Sequence, residues 1–416
     1  MSPISRLLGL VALGGAAAWP GLAAAEGWPE VFDPLAPPRA LHLELEPADW
    51  DTIRYDLGNS IEVPAWLAAD DETPILVTVR RKSSRALPSE ADPVKIGLKI
   101  DINDLVKGQE WHGLVKLSLE NGGDVHPVHE GLAWNLHELA SVDGFYGADY
   151  HPALANWVRL DVNGAHVGLY TSVEQRDKRF LENRGLYLKD RTWFYEIDDV
   201  NGYAFEVGDL PHSPAFAALC YRPFSAASGK SKAGSCPTPD DATLATELSE
   251  LISMPAMLTQ GAIDAFTDNP DALFSKGKNF FYADFATDRG LRRHYYPWDL
   301  DAVFRSTSAG IYGQVDRRGK VAQTDYERVI LGHPDFRAEY NDILLGLLDE
   351  TDGPLSETRL HAFLDDLEAV LSDAIQDDPY IAEDPAQTFA ALRDWISARI
   401  AHVRAQVAAN GPPAPR

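Results

Sequence analysis

Between residues 279 and 304 the chain reads NFFYADFATDRGLRRHYYPWDLDAVF. Two aromatic runs, 279–282 and 294–296, flank a polar turn at 288–290, the pattern of a β-hairpin that packs on both faces. The second run leads straight into Pro297-Trp298-Asp299-Leu300-Asp301. The hairpin therefore delivers two carboxylates, two residues apart, at a strand end. In an extended segment they point the same way. Two like charges on one side repel unless a cation or a basic group lies between them, so chemistry is expected here.

A chain of 416 residues has room for one large domain or two. Its 45% hydrophobic and 24% charged content is that of a globular protein. The formal charge of -26, with no long basic run, argues against nucleic acid and anionic lipid as partners. Arg6, an apolar stretch over residues 7–19 and Ala23-Ala24-Ala25 before Glu26 have the layout of a secretory signal, with cleavage expected after Ala25. No later stretch is long and apolar enough to span a bilayer, so the mature protein is expected to be secreted or periplasmic. Cys220 and Cys236 lie in a loop rich in Ser, Gly, Ala and Pro and are expected to pair in that compartment.

Residues 26–39 form a Pro-rich lead-in. Strands are expected at 41–45, 75–80, 94–101 and 111–119, with a short helix from Pro47. Over 94–101 Val94, Ile96, Leu98 and Ile100 share one face, and Lys95, Gly97 and Lys99 the other. A helix over 126–141 carries Val128, Leu132, Leu136 and Leu139 on one side. Asn163-Gly164 between two alternating runs is the strongest hairpin signal in the chain, and a short helix follows at 175–182. Residues 187–239 read as loop. Helices are expected from Asp240 onwards, over 255–266, and in a C-terminal pair at 355–375 and 386–409, before a frayed tail.

Five segments occur in a telling order: RRKSS, VKIGLKIDIN, KGQEWHGLVKLSLENGGDVHPVHEGLAW, VNGAHVGLYTSVEQRDKRFL, and NPDALFSKGKNFFYADF with YPWDLDAVF. Together they resemble the CotH family of spore-coat-protein-H-like kinases, in its exported bacterial branch. The resemblance covers residues 40–310, leaving 311–410 as a C-terminal helical region. It implies an α+β, atypical protein-kinase-like fold with two lobes, a mostly antiparallel sheet and a C-terminal helical extension. It also implies transfer of the ATP γ-phosphoryl group to Ser or Thr of an exported protein, with Mg²⁺ or Mn²⁺. Asp299 or Asp301 would hold the metal, Asn279 would be a second ligand, and Asp271 the catalytic base. Lys95 or Lys99 would reach phosphate oxygens, Glu130 would pair with that lysine, and Glu174 would lie near the nucleotide base. The family more often has a glycine before the serine of its RRKSS-like turn. Here Lys82 is the residue that can supply charge in place of backbone N–H groups.

The residues alone leave alternatives open. Asp271 follows Asn269-Pro270 and also suits a plain turn or cap. Lys95 and Lys99 also suit a solvated strand face, and Glu130 and Glu174 a surface. A non-catalytic envelope protein that binds Ca²⁺ or nucleotide would present the same carboxylates. A glycoside hydrolase would not, because Asp299 and Asp301 are too close in sequence to act as opposed acids.

Overall fold

The alternating segments of the first half of the chain close on themselves. In the computed structural model, which describes residues 27–89, 92–122, 126–141, 150–198, 202–207, 241–312 and 327–410, seven strands form a closed barrel. They are β1 (Arg39–Glu44), β2 (Val63–Ala69), β3 (Ile75–Ser89), β4 (Asp92–Asp101), β5 (Lys116–Glu120), β6 (Ala155–Val162) and β7 (Ala165–Glu174), in the order β1-β2-β3-β4-β5-β7-β6. Leu41, Val79, Ile96, Leu98, Ile100, Leu117, Leu119 and Leu160 are buried in one cluster that fills the interior. Neighbours are antiparallel except β1 and β6, whose parallel pairing from Arg39↔Val158 to Leu43↔Val162 seals the barrel.

This barrel corrects the two-lobed, protein-kinase-like architecture implied by the resemblance. The individual strands are legible as alternation. Closure is not, because it rests on a parallel pair between distant segments, which no local turn chemistry announces. β2 escaped for a simpler reason: Val63, Ala65, Leu67 and Ala69 alternate inward, but Pro64 and the alanines hide the signal. The strand expected at 111–119 shrinks to β5, with Trp111 and Leu114 in an isolated bridge before it.

A second sheet holds β8 (Thr192–Asp198), β9 (Gly202–Val207), β10 (Phe280–Thr287) and β11 (Gly290–Pro297), in the order β11-β10-β8-β9. β8 and β9 fall in the stretch read as loop. The aromatic hairpin is longer than expected, pairing from Phe280↔Pro297 to Thr287↔Gly290. Its strands carry a buried fork before the turn: Asp284 faces Arg293 across the ladder, with Nε–Oδ1 2.7 Å and Nη2–Oδ2 2.9 Å. The secretory signal, Cys220, Cys236 and the tail lie outside the described residues.

The helices are α1 (Trp28–Val31), α2 (Pro47–Arg54), α3 (Pro127–Ser141), α4 (Lys178–Asn183), α5 (Asp241–Leu251), α6 (Met254–Phe266), α7 (Pro334–Leu347), α8 (Glu357–Asp377) and α9 (Pro385–Ala409), with one π-type turn at Glu327–Leu331. The C-terminus is helical, as expected. No helix among the described residues is long and apolar enough to cross a membrane. α3 lies on the outside of β6 and β7. Gly131 permits the contact, since a Cβ there would come within 2.4 Å of the Trp157 ring. The Pro127 carbonyl accepts from Trp157 Nε1 at 3.1 Å and from Thr171 Oγ1 at 2.9 Å.

α9 fixes the segments on either side of the hairpin. Arg399 is fully buried, and its guanidinium donates to four carbonyls: Ala265 at 2.5 Å, Phe266 at 3.0 Å, Thr307 at 3.0 Å and Ala309 at 2.6 Å. It thereby ties the end of α6 to the chain beyond Asp301. The same two segments are laced directly, by Phe304 N to Thr267 O at 2.7 Å and Ser306 N to Asp268 Oδ2 at 2.8 Å.

Candidate active site

The hairpin register decides where the acids go. One rung beyond Phe280↔Pro297, Trp298 N donates to Asn279 O at 3.1 Å. One residue further, Asn279 Nδ2 donates to Asp299 Oδ2 at 3.0 Å. The strand does not continue through Asp299: its φ is 54°, and Asn279 has φ 55°. Asp299 and Asp301 are thus carried on a left-handed bend, not on an extended strand end as the spacing suggested. Two non-glycine residues in this region, bonded to each other, store strain of the kind that collects at functional sites. Trp298 is held edge-on to Trp134 of α3 and to Phe281 of β10, with ring centroids 5.9 and 5.3 Å away.

Onto this platform β3 brings Lys82. Its ammonium bonds Glu120 of β5 and lies 4.7 Å from the Trp298 ring centroid. β4 runs between β3 and β5. The register Arg81↔Leu98↔Leu119 puts Gly97 at the level where the lysine must cross, so no side chain blocks it. Glu120 also accepts from Ser118 Oγ at 2.9 Å. Glu130, on the first turn of α3, is 3% exposed and feels the charges of Glu120, Lys82, Asp301 and Asp299.

The acids outnumber the bases here. Burial, then Glu120, pushes the Glu130 carboxyl well above its usual range; Lys82 opposes the shift, and Asp301 and Asp299 add to it. Asp299 is raised too, by burial first, with Lys82 pulling down and Glu120 pushing up. Lys82 is itself raised: burial lowers it, but Glu120 and Asp299 outweigh that.

The other side of the site follows α6. Asn269 is anchored to Asp264 by its backbone N–H at 2.9 Å and by its side chain at 3.2 Å, and its own Oδ1 accepts from Asp271 N at 3.0 Å. Asp271 then meets two lysines: Lys276 bonds Oδ1, and Lys278 Nζ lies 3.1 Å from Oδ2. Burial pushes the Asp271 carboxyl up, but these bonds and charges leave it below its usual range. Lys278 also bears on Asp299, so it stands between the two acids.

Of the residues singled out in the sequence, Glu130, Asp271, Asn279, Asp299 and Asp301 come together. Lys95, Lys99 and Glu174 do not join them. Lys95 is fully buried against Asp378, Nζ to Oδ2 2.6 Å. Lys99 lies opposite Arg80 and lines a small polar cavity with Glu62, Thr78, Asp101 and Lys116. Glu174 is held by a fork from Arg184, at 2.8 and 2.7 Å. Glu120 and Lys278 were missed. In the sequence Glu120 opens a turn cluster and nothing marks Lys278; only Gly97 on a polar strand face hints at a crossing side chain.

Among the described residues no group of three or more His, Cys, Asp or Glu is arranged to hold an ion unaided. A Mg²⁺ that serves a nucleotide asks for less: one or two carboxylates, with phosphates and waters completing the octahedron. Asp299, Asp301 and the Asn279 side-chain oxygen are hard donors; burial raises Asp299 and Glu130 first and neighbouring acids add to it, and a divalent cation relieves the second of these. The residues present fit such an ion. Both raised carboxyls favour their protonated form in the fold, so their contribution to stability is lost as pH rises from the unfolded carboxyl pKa of about 4 toward the raised values. Added Mg²⁺ or Mn²⁺ should therefore raise Tm more at pH 8 than at pH 5, and Asp299→Asn should remove the difference. An equal gain at both pH values in scanning calorimetry would count against this site.

A family model described as CotH kinase protein matches residues 94–403, from β4 into α9. No curated protein matches the chain.

Proposed function

Because the chain belongs to the CotH kinase family, we propose that it is a metal-dependent phosphotransferase that moves the γ-phosphoryl group of ATP to a Ser or Thr hydroxyl of an exported protein. The observation that carries this reading is the convergence of Lys82, Glu130, Asn279, Asp299 and Asp271 from β3, α3, the two ends of one hairpin and the segment between α6 and that hairpin. Export rests on the arrangement of Arg6, the apolar stretch and Ala23-Ala24-Ala25.

Phosphoryl transfer asks little covalent chemistry of a protein; it asks for positioning and for cations around the phosphate oxygens. Lys82, fixed by Glu120, offers an ammonium to the nucleotide phosphates. A bound Mg²⁺ or Mn²⁺ would be held by Asp299 with Asn279 and Asp301, and would neutralise charge on the bridging and terminal oxygens. Asp271 accepts the hydroxyl proton as the acceptor oxygen bonds phosphorus and the bond to the β–γ bridging oxygen breaks. Lys278, between Asp271 and Asp299, faces the charge in transit.

The test is incubation of the purified protein with γ-labelled ATP, Mg²⁺ or Mn²⁺ and an exported acceptor, beside an Asp299→Ala variant. Label should reach the acceptor with wild type and fall at least about a hundredfold with the variant. Ca²⁺ stabilisation without nucleotide, and no label from either protein, would replace this reading with a binding-only one.

A further inference from the structure

The base of the proposed reaction is covered. A carboxylate that is to take a proton from an incoming hydroxyl needs an oxygen open to it. Asp271 has both oxygens engaged, Oδ1 by Lys276 and Oδ2 by Lys278. The chain is folded to make this happen. The backbone N–H groups of Ser275, Lys276 and Gly277 all donate to Ala272 O, at 3.1, 3.1 and 3.0 Å. Gly277 takes φ 66° and Asn279 φ 55°, which turns both lysines back over Asp271.

The two lysines are not equivalent. The Lys278 side chain is 20% exposed and its charge also bears on Asp299, so it belongs to the interior of the site. The Lys276 side chain is 53% exposed, and Asp271 is the acid it pairs with among the described residues. It is therefore the more solvent-facing of the two ammonium groups on Asp271. A long, half-exposed ammonium is held by one contact, and a competing anion can draw it away.

We propose that Lys276 is a removable cap on Asp271 and a specificity determinant, drawn off by an acceptor that carries a carboxylate or phosphate beside its hydroxyl. This rests on the phosphotransferase reading and adds the substrate class to it: hydroxyls in acidic sequence. An acidic neighbour receives the ammonium, Asp271 Oδ1 opens to the hydroxyl, and Lys278 stays in place. A neutral acceptor must displace Lys276 without replacing its partner, and reacts more slowly.

The experiment compares two Ser peptides, one with Asp or Glu beside the serine and one with Ala, as substrates of the full mature chain with ATP and Mn²⁺. Wild type should favour the acidic peptide about fivefold in kcat/KM, the scale of a half-exposed ion pair, and the preference should shrink as salt rises. Lys276→Met should bring the ratio near one by raising kcat/KM for the neutral peptide and lowering it for the acidic one. Lys276→Arg should keep the preference. A role in folding alone would lower both peptides equally. If wild type labels both peptides at the same rate, or Lys276→Met keeps the ratio, the cap is wrong while the phosphotransferase stands. If wild type and Asp299→Ala label neither, the phosphotransferase reading falls and the cap falls with it.

Discussion

Asp378→Ala should cost about 3–5 kcal/mol of stability, the usual result of removing one member of a buried ion pair. Asp378 and Lys95 are both fully buried, 2.6 Å apart, and Asp378 sits at the end of α8 while Lys95 is on β4 of the barrel. The carboxylate does more than neutralise a lysine. It accepts from Leu169 N at 2.6 Å and from Tyr380 N at 2.8 Å, so it terminates an edge of β7 and shapes the turn toward α9. It reaches β7 because residue 168 is glycine, with φ 132°; a Cβ there would meet Asp378 Oδ2 at 2.5 Å. Removing it strands an ammonium that burial already drives below its usual pKa, an effect Asp378 now opposes. Lys95→Met alone should also destabilise, by leaving the carboxylate short of its charge partner. Lys95→Met with Asp378→Leu should recover at least half of the single-variant loss, since apolar replacement of both members is often tolerated. The measurement is denaturant unfolding of all three variants. A single Asp378→Ala change within about 0.5 kcal/mol of wild type would remove the pair from any account of how barrel and C-terminal helices hold together.

That pair also shows where sequence reading runs out. The alternation of Val94, Ile96, Leu98 and Ile100 against Lys95 and Lys99 was right about direction: the apolar members Ile96, Leu98 and Ile100 fill the barrel, and Lys95 and Lys99 face outward. What covers that outer face at Lys95 comes from a residue 283 positions away, and nothing local to β4 announces it. Lys99, four residues on, lines a small polar cavity with Glu62 and Asp101 instead. The same limit hid the barrel, whose sealing pair joins β1 to β6. Features set by neighbours were legible. Asn163 and Gly164 take φ 51° and 74°, as a tight hairpin turn requires, and the apolar face of α3 is buried. The hairpin explains why half of the site was legible too. Its register is local, so Asn279 and Asp299 had to meet. Glu130 arrives on a helix whose periodicity was plain. Lys82 and Glu120 meet across Gly97, a crossing that depends on the pairing of three strands.

Asp271→Asn should lower phosphoryl transfer by about 10²–10⁴, the range expected when a positioned general base is lost. The substitution separates the two roles open to this residue. As a turn former, asparagine is as good as aspartate, since its side chain bonds the local backbone in the same way. The backbone contact from Asp271 N to Asn269 Oδ1 at 3.0 Å does not involve the side chain and should survive. If Asp271 only shapes the loop, Asn should be neutral. If it takes the hydroxyl proton, Asn removes the group that takes it and keeps the shape. Stability should change little, because the carboxylate is partly exposed, as are its lysine partners, and such pairs contribute up to about 1 kcal/mol. ATP affinity should be unchanged or slightly higher, because Lys278 is released toward the phosphates while Lys82 and Asp299 stay as they are. The decisive comparison is therefore kcat against nucleotide affinity in the same preparation. Transfer that falls with affinity intact identifies Asp271 as the base, whereas the two falling together would trace the loss to a disordered loop.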